Sequence, residues 1–479
     1  YFGISQKCGL IPHLCYFEIQ MHFNPEQLRQ DLQKIQSEAQ LSVMPRLCLG
    51  LSGGLDSVVL LHALLAAGFK PKVIHVHHGL SHHADQWAAF CEQLCKEIGA
   101  SFVCVRVRVS SEGKGIEDAA RRARYQAFAQ HMSVGDALLS AHHLDDQAET
   151  VLLRLMRGSG PKGLAAMSTR RALEIGELWR PLLSVPRGEL ERYAQEHDLH
   201  WVEDESNRDE GIERNYLRHK VMPLLAERWP GFGERWQQSA SLCGDLEVLA
   251  SDQADEDLVL ANWRAERLGF SFDLSVCAGF KPARWRQLLR RACEHAKLEP
   301  PGLRHLEALD QQLSSAKSDA LIAISWGCCS LRPFQGRLYL LPAEPEVAGS
   351  PALEHWRNPR IWDPAQSCQL GDWALLAEPG TGAGCLSVDK YELSVGLRQG
   401  GERCQPAGRA HSQTLKKLLQ EYGLEPWLRP AVPLLYIEGT LAAVGDLWVC
   451  EGFQAKPRES GVTLQWSMGN IAPSSKEEH

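Results

Sequence analysis

The sequence predicts an α/β protein whose first half is a doubly wound parallel sheet. Short apolar, β-branched runs at residues 46–51, 72–77, 101–109 and 137–141 alternate with helical patterns at 58–68, 84–99, 115–132 and 144–157. Strands separated by helices of this length are typical of a parallel sheet with helices on both faces. Ligands of such sheets bind beyond the carboxyl ends of the strands, so we expect the loops after residues 51, 76 and 141 to lie together.

The segments on either side of this pattern predict further elements. A helical pattern at 25–39 precedes the first strand, and residues 187–229 remain helical around a polar insertion at 203–213. Residues 235–307 are mostly helical in pattern, 320–341 are strand-like, and six prolines between 342 and 379 are typical of a linker. The predicted organisation is an upstream extension at 1–20, an α/β domain at 21–234, a largely helical middle domain at 235–345, a linker at 346–382 and a C-terminal domain at 383–470. The last two domains are expected to be smaller and mixed α/β.

Composition narrows the class of protein. The chain has 479 residues, a formal net charge of −8 and no run of 18 apolar residues, so no membrane partner is expected. An acidic chain does not indicate a nucleic-acid binder, although a whole-chain sum hides local basic patches. Fifteen cysteines without a C-x-x-C pair exclude the usual zinc-ribbon and thioredoxin patterns and predict a reducing, cytoplasmic location.

The segment SGGLDS at 52–57 predicts a phosphate-binding loop. It follows the first strand and opens a helix, whose free N–H groups and dipole favour an anion. The two glycines let the backbone approach phosphate oxygens, and Asp56 would repel phosphates unless a cation lay between them, which predicts Mg²⁺. A glycine turn before a capped helix is the structural alternative. The predicted nucleotide-binding residues are Ser52, Gly53, Gly54, Leu55, Asp56 and Ser57.

A second polar cluster, AHHLDDQAET at 141–150, follows the fourth predicted strand. His142 and Asp146 are four residues apart and Glu149 is three further on, a spacing that places side chains on one helical face. Imidazole and carboxylate groups suit proton transfer or charge neutralisation. Acidic residues also favour helix N-termini through the dipole, but the position beside the phosphate loop favours a catalytic role.

Two arginines of the predicted helix 115–132 are further catalytic candidates. Arg121 and Arg124 lie at i and i+3, so that one of them could stabilise charge developing on a phosphate. Solvated arginines on a surface helix explain the pattern equally well.

Several strings together resemble one family. The loop lacks the lysine of Walker-type motifs and resembles the SGGxDS loop of the PP-loop ATP pyrophosphatases, which split ATP between the α- and β-phosphates. The whole set resembles the tRNA(Ile)-lysidine synthetase family over about residues 21–455, weakest between 236 and 380. The strings are HVHHGL at 75–80, AARRARY at 119–125, AHHLDDQAETVLLRLMRGSG at 141–160, RPLL at 180–183, WVEDESNRDEGIERNYLRHKVMPLL at 201–225 and KKLLQEYGLEPWLRPAVPLLY from 416. His77 departs from the family, which usually has Asn there.

This resemblance implies a PP-loop domain, similar to the adenine nucleotide α-hydrolases, followed by two smaller tRNA-binding domains. It implies a ligase that joins free L-lysine to C2 of cytidine 34 in the CAU anticodon of an isoleucine tRNA. ATP first adenylylates the C2 oxygen, and the lysine ε-amine then displaces AMP. By the same resemblance Asp56 holds Mg²⁺ and the phosphates, His142 and Asp146 lie at the reacting centre, and Arg121 or Arg124 is essential.

Local basic clusters are the candidate RNA contacts of this acidic chain. Residues 154–192 carry eight Lys or Arg against four Glu, and residues 395–430 carry six against three. Such patches supply phosphate contacts, while the negative net charge limits non-specific binding. Trp427 is better explained as a core residue than as a side chain that stacks on a base. The predicted RNA contacts are Arg157, Arg214, Asn215, Arg218, Lys416, Lys417 and Arg429.

Other functions remain open at this stage. A PP-loop enzyme of tRNA sulfur transfer generally uses cysteine pairs, and an amidotransferase-type synthetase needs a glutaminase cysteine; the sequence indicates neither. A nucleotide-binding RNA chaperone would bind ATP without releasing pyrophosphate. The sequence also leaves a homodimer open.

Overall fold

The computed structural model describes residues 22–79, 81–109, 116–315, 324–342, 355–382, 384–388 and 392–468. The predicted extension at residues 1–20 lies outside this part of the chain. The chain divides into two compact units, Tyr1–Leu249 and Ala250–His479.

The first unit contains the predicted parallel sheet. Its strands lie in the order β3-β2-β1-β4-β6-β5, and every pair is parallel except the β5–β6 hairpin. The α/β prediction is therefore confirmed, whereas the hairpin is an element that the sequence pattern did not predict. The strands are β1 (Leu47–Gly50), β2 (Lys72–His77), β3 (Ser101–Arg106), β4 (Ala137–Leu139), β5 (Arg170–Ala172) and β6 (Glu177–Trp179).

Helices cover both faces of this sheet. Alternate residues of a strand point to opposite faces, so Leu47 and Leu49 of β1 pack in the core with α1, α2 and α7, whereas Cys48 packs with α4 on the other side. Burial on both faces explains why the central strand is apolar throughout. The helices are α1 (Pro25–Glu38), α2 (Leu55–Ala66), α3 (Ala84–Glu97), α4 (Ile116–His131), α5 (Leu144–Met156), α6 (Pro161–Leu164) and α7 (Arg187–Glu196).

The strand order creates a crevice between β1 and β4. The chain proceeds from β1 outward through β2 and β3 and then crosses to the other side of β1 with β4, which makes this the point where the strand order reverses. The loop after β1 is the segment 52–57, and the segment after β4 contains His142. The two predicted polar segments therefore share one edge of the sheet, as expected.

Short helical segments follow α7. One turn of 3-10 helix (Glu205–Arg208) lies in the predicted polar insertion, and α8 (Glu213–Tyr216) leads through π-helical residues (Leu217–Val221) into α9 (Met222–Arg228). Such π-helical turns are frequent at functional sites. A longer helix, α10 (Phe232–Leu260), continues the chain into the second unit.

The second unit begins with an antiparallel sheet in the order β7-β8-β11-β10-β9. Its helices pack on it through Trp285, Leu288 and Leu306 against Phe272 and Leu338. Two of the strands, β7 and β8, interrupt the range predicted as helical. The elements are β7 (Arg264–Ala265), β8 (Phe270–Asp273), α11 (Leu274–Ala278), α12 (Pro282–His295), α13 (Leu303–Ser315), β9 (Ile324–Trp326), β10 (Cys329–Phe334) and β11 (Arg337–Pro342).

The rest of the second unit consists of short antiparallel strands around one large core. β14 pairs along its whole length with β21. Within the described residues of both units, no helix combines the length and apolarity needed to cross a bilayer. The elements are β12 (Arg360–Ile361), β13 (Cys368–Leu370), β14 (Trp373–Thr381), β15 (Leu393–Leu397), β16 (Arg403–Cys404), β17 (Gln413–Thr414), α14 (Leu415–Tyr422), β18 (Pro433–Ile437), β19 (Thr440–Val444), β20 (Trp448–Val449) and β21 (Ser460–Met468).

The predicted linker at 346–382 is wrong for residues 355–382. Trp362, Leu370, Trp373 and Leu375 are buried in the same core as the later strands, so this segment is part of the folded C-terminal domain. The prediction failed because frequent Pro and Gly are typical both of linkers and of the turns that join short antiparallel strands. Residues 346–354 lie outside the described residues.

Candidate active site

The loop at residues 52–57 has a backbone suited to an anion. Ser57 Oγ donates to the Gly54 carbonyl at 3.0 Å and accepts from the Ser52 amide at 3.2 Å, and the two serine hydroxyl oxygens are 3.0 Å apart. Gly54 precedes α2 without a side-chain capping bond. The N–H groups at the start of α2 are therefore available to an anion that lies on the loop.

Gly53 can be replaced by no other residue without strain. Its φ is +89°, and an added Cβ would lie 2.9 Å from Val202 Cγ2 and 3.0 Å from Cys91 Sγ. Its carbonyl also accepts a hydrogen bond from the Val202 amide at 2.9 Å. A side chain at this position would therefore move the loop away from the extended segment around Val202 that follows α7.

Asp56 has the features of a cation ligand. Its Oδ1 is buried and has no hydrogen-bond partner among the described residues, while Oδ2 lies 3.7 Å from His143 Nε2. Burial raises the pKa of Asp56, and His143 and Arg187 only partly oppose this. A buried carboxylate oxygen without a donor fits Mg²⁺, which needs only one or two carboxylates when phosphates and water complete its shell. The described residues contain no group of three or more His, Cys, Asp or Glu side chains placed to hold a metal ion by themselves.

His142 lies at the end of β4, just before α5. Its Nδ1 is 2.8 Å from Ser140 Oγ. Burial lowers the pKa of His142 to about 4; Asp146 opposes the shift, and Arg180 and Arg214 add to it. The imidazole is therefore neutral at neutral pH. Because His142 precedes the helix, the prediction that it shares a helical face with Asp146 is wrong, although both residues reach the same crevice.

His143 is a central residue of the site that the sequence analysis missed. It is 1% exposed, and its Nε2 lies 3.7 Å from Asp56 Oδ2 and 3.4 Å from Asp146 Oδ2. It also begins α5 with a reciprocal cap, because its Nδ1 accepts from the Asp146 amide and Asp146 Oδ2 accepts from its own amide. Burial lowers the pKa of His143, but the carboxylates of Asp145, Asp146 and Asp56 outweigh burial and raise it. A capping-box pattern, with Asp three residues after the second histidine, was the available sequence signal.

Asp146 and Glu149 lie on one face of α5, as predicted, and both bind the same two arginines. Arg214 donates from Nε to Glu149 at 2.7 Å and from Nη2 to Asp146 at 3.0 Å. Arg218 does the same at 2.7 and 3.0 Å. Burial raises the pKa of Asp146, but His143 and the arginines outweigh burial and lower it. The cluster therefore keeps the carboxylate of Asp146 ionised inside the crevice.

These contacts change the interpretation of the RNA contacts predicted in this unit. Arg214 and Arg218 are 34% and 25% exposed and neutralise carboxylates of the site, so an RNA contact would be a second role for them. The Asn215 side chain is buried and donates to the carbonyls of Ser206 and Asp209, which does not fit the predicted RNA contact. Charge and amide groups were visible in the sequence, but their partners on the polar insertion and α5 were not.

The remaining predicted contacts are on surfaces. Arg157 is exposed at the end of α5, 3.2 Å from Glu213. In the second unit Lys416 and Lys417 are exposed in the first turn of α14. Arg429 is half-buried and donates to the Leu424 carbonyl at 2.9 Å. Their contact with RNA stays a prediction. Trp427 packs against Phe334 and Tyr339, as expected of a core residue.

Arg121 and Arg124 are exposed on α4 and point to different surroundings. The Arg121 guanidinium lies 5.4 Å from the centre of the Tyr125 ring. Burial is the main cause of the lowered pKa of His142, and the charge of Arg121 is one of the smaller causes. The pKa of His78, which follows β2, is lowered mainly by burial and secondly by the charge of Arg124. Which of the two arginines acts in catalysis stays a prediction.

Fold and site together define a PP-loop enzyme that uses ATP: a doubly wound parallel sheet with SGGLDS after its first strand. A family model described as the PP-loop domain matches residues 24–225. Models described as the TilS substrate binding domain and the TilS substrate C-terminal domain match residues 272–339 and 393–466.

Curated relatives match nearly the whole chain. The tRNA(Ile)-lysidine synthase of Coxiella burnetii is 37% identical, with 92% of this chain and 96% of that protein covered. The enzymes of the same name from Xanthomonas campestris and Vibrio cholerae are 41% and 40% identical, over 87% and 84% of this chain and 93% and 91% of their own lengths. This chain belongs to the tRNA(Ile)-lysidine synthase family.

Proposed function

We propose that this chain uses ATP to join free L-lysine to C2 of cytidine 34 in an isoleucine tRNA with a CAU anticodon. Membership of the family and the matches to both TilS substrate domains support this. The PP-loop domain performs the chemistry, and the middle and C-terminal domains bind the tRNA. The reaction takes place in the cytoplasm, a reducing compartment that suits the free thiols found among the described residues.

The observation that carries this proposal is the meeting of two segments at one crevice. His143 Nε2 lies between Asp56 of the phosphate loop and Asp146 of α5, at 3.7 and 3.4 Å. An ATP molecule with its phosphates on the loop would therefore have a neutral His142 and an ionised Asp146 beside it. Such a site can stabilise charge on a phosphate and handle a proton within one enclosure.

In the first half-reaction the C2 oxygen of the cytidine attacks the α-phosphorus of ATP, and the bond from that phosphorus to the departing pyrophosphate breaks. The N–H groups and dipole of α2 stabilise the phosphate charge. Asp56, with its unpartnered Oδ1, would hold Mg²⁺ at this loop, and the bound ion would supply neutralisation of the negative charge on the departing pyrophosphate. Arg121 or Arg124 adds positive charge from α4.

In the second half-reaction the lysine ε-amine attacks C2, the C2–O bond breaks, and AMP leaves with the former C2 oxygen. The amine must lose its proton to remain bonded as a neutral nitrogen. His142 can accept a proton because burial keeps its imidazole neutral. Asp146 stays ionised and stabilises the positive charge that the attacking nitrogen carries.

The test is incubation of the full chain with ATP, labelled lysine and an isoleucine tRNA with a CAU anticodon. We expect label in the tRNA together with equal amounts of AMP and pyrophosphate. An isoleucine tRNA with a GAU anticodon is the matched control and should accept no label. Pyrophosphate without label in the tRNA would indicate a different adenylylating synthetase. If neither labelled tRNA nor pyrophosphate forms, the proposal is contradicted.

A further inference from the structure

A basic cavity lies beside the crevice, between α4 and the β5–β6 hairpin. Its volume is about 340 Å³. The arginine that the hairpin contributes, Arg171, belongs to the basic cluster at 154–192, but the function proposed above gives it no specific role. The lining residues are Arg121, Arg122, Tyr125 and Gln126 from α4, and Arg171 and Leu173 from the hairpin.

Two of these arginines stack on one aromatic ring. The guanidinium carbons of Arg121 and Arg171 each lie 5.4 Å from the centre of the Tyr125 ring. Stacking orders a guanidinium through its face and leaves its N–H edge free, and that edge matches two oxygens of a phosphate group. Both arginines are exposed, so their N–H edges are open to a ligand. We call Arg121, Tyr125 and Arg171 the arginine–tyrosine stack.

A third arginine, Arg180, is buried beside the stack. Arg180 is 3% exposed, lies close enough to Tyr125 to interact with it electrostatically, and donates from Nη1 to the Ser168 carbonyl at 2.6 Å. Its Nε is buried and has no partner among the described residues. Arg121 and Arg171 both lie near enough to Arg180 to repel it. The positive charge here is therefore concentrated rather than neutralised.

Neighbouring arginines make the contrast clear. Arg170, one residue earlier in β5, donates to Glu177 at 2.8 and 2.9 Å, and Arg214 and Arg218 are paired with carboxylates of α5. Among the described lining residues of the cavity there is no carboxylate. A cavity with concentrated positive charge and ordered donors is a binding site for an anion.

The sheet order tells where this anion would lie. β5 is three strands from β1, about 14 Å at the usual spacing, whereas β6, which leads to Arg180, is next to β4, which leads to His142. The cavity is thus on the His142 side of the crevice and away from the phosphate loop. The loop has its own donors for the phosphates of ATP, and β5 lies three strands away from it, so a second phosphate best explains why Arg171 is held beside Arg121.

We propose that the arginine–tyrosine stack binds a phosphodiester of the RNA strand, adjacent to the nucleotide whose base enters the crevice. The proposal rests on the function proposed above for the choice of RNA as substrate. The stack orients the strand through its backbone, so it carries no sequence preference of its own. Phosphates of ATP are the other source of the same chemistry, and the experiment separates the two.

The test is the variant Arg171→Ala, with tRNA affinity measured over a range of salt concentrations. We expect the Kd for tRNA to rise about tenfold at low salt, and the slope of log Kd against log salt to fall by about 0.7 to 0.9, the value for one lost phosphate contact. The KM for ATP should change by less than twofold. Arg171→Lys should recover part of the affinity, because it restores the charge without the planar edge.

Arg170→Ala is the matched control. It removes the same charge one residue away, on the opposite face of the strand, and should leave tRNA affinity within twofold. Thermal unfolding of each variant verifies that it folds. A raised KM for ATP with unchanged tRNA affinity, or equal effects of both variants, would overturn the proposal. If the wild-type chain transfers no lysine but its tRNA affinity depends on Arg171 as described, the subsite stands and only the proposed reaction fails.

Discussion

At the scale of single residues, Asp56 is a carboxyl group whose ionised form is costly to bury in the site. Burial raises the pKa of its carboxyl group, and its Oδ1 lacks a partner, so the carboxylate is useful only when a cation is bound. We expect Asp56→Asn to lower the rate of pyrophosphate release by about two orders of magnitude or more, since a metal ion at a leaving phosphate contributes several kcal/mol. The thermal midpoint should stay equal or rise, because the neutral amide is less costly to bury.

Asp31 provides the control for this prediction. It lies on α1, outside the crevice, and burial raises the pKa of its carboxyl group as well. Asp31→Asn should therefore resemble Asp56→Asn in stability but retain full pyrophosphate release. Wild-type activity in Asp56→Asn would remove this carboxylate from the mechanism.

The lowered pKa of His142 predicts that the free energy of unfolding depends on pH. Its pKa is about 4 in the folded chain and about 6.5 in an unfolded one, because burial disfavours the charged imidazole. Below pH of about 6.5 the unfolded chain takes up a proton that folded His142 does not accept, so the free energy of unfolding falls as the pH is lowered through this window. His142→Gln should lose less stability than the wild type between pH 7 and 5 in urea unfolding. His200→Gln changes an exposed histidine and should follow the wild type; a wild-type slope in His142→Gln would contradict the assignment.

Site residues could be predicted from the sequence where a motif coincides with the end of a strand. They could not be predicted where the role of a residue depends on a contact with another part of the chain. Asp56 and His142 follow strands and could be placed by the rule for parallel sheets. His143 was missed because the sequence does not show at which residue α5 begins. That residue decides whether His142 or His143 caps the helix. The pairing of Arg214 with Glu149 joins residues 65 positions apart, and no local pattern contains that information.

At the scale of elements, prediction succeeded for buried strands and failed for short edges. β1 and β4 are apolar because helices cover both faces, and β2 buries Val73 and Ile74; the bounds of all three strands lie close to those predicted. The β5–β6 hairpin has three residues in each strand, and charged side chains such as Arg170 and Glu177 hide the alternation. β13 and β14 were interpreted as linker because the signal of their turns outweighed that of their buried apolar residues, among them Leu370 and Trp373.

The turn from β1 into α2 gives a prediction about backbone shape. Gly53→Ala should raise the KM for ATP by about tenfold or more, because the methyl group would meet Val202 and Cys91 at 3.0 Å or less and displace the loop amides. Gly135→Ala is the matched control: its φ of +85° is nearly the same as the +89° of Gly53, but nothing lies within 4 Å of the added Cβ. Both variants should therefore lose a similar stability from backbone strain, measured by urea unfolding. Only Gly53→Ala should weaken ATP binding, and equal KM values for both would contradict the role of the close contacts.

At the scale of the whole molecule, an acidic chain must bind an acidic polymer. The formal net charge is −8, so long-range attraction to RNA is weak and affinity must come from local sites. In the first unit Arg214 and Arg218 are neutralised by carboxylates of α5, whereas the described residues that line the cavity of the arginine–tyrosine stack include no carboxylate. The second unit offers the exposed lysines of α14. Separate small sites of this kind favour RNAs whose shape reaches them together, which limits binding to unrelated RNA.

The lysines of α14 give the prediction that tests this view. Lys416 and Lys417 are exposed in the first turn of the helix, and within the described part of the chain only Lys417 has a carboxylate near it, Glu421 at 3.7 Å. We expect the double variant Lys416→Ala, Lys417→Ala to raise the Kd for tRNA and to lower the slope of log Kd against log salt by about 1.5, as the loss of two phosphate contacts would do. The rate at saturating tRNA should stay within twofold, because these side chains lie in the second unit and the reacting groups in the first. Lys456→Ala, at another exposed position of the same unit, should leave both the Kd and the slope unchanged. A salt slope equal to that of the wild type in the double variant would remove α14 from the RNA-binding surface.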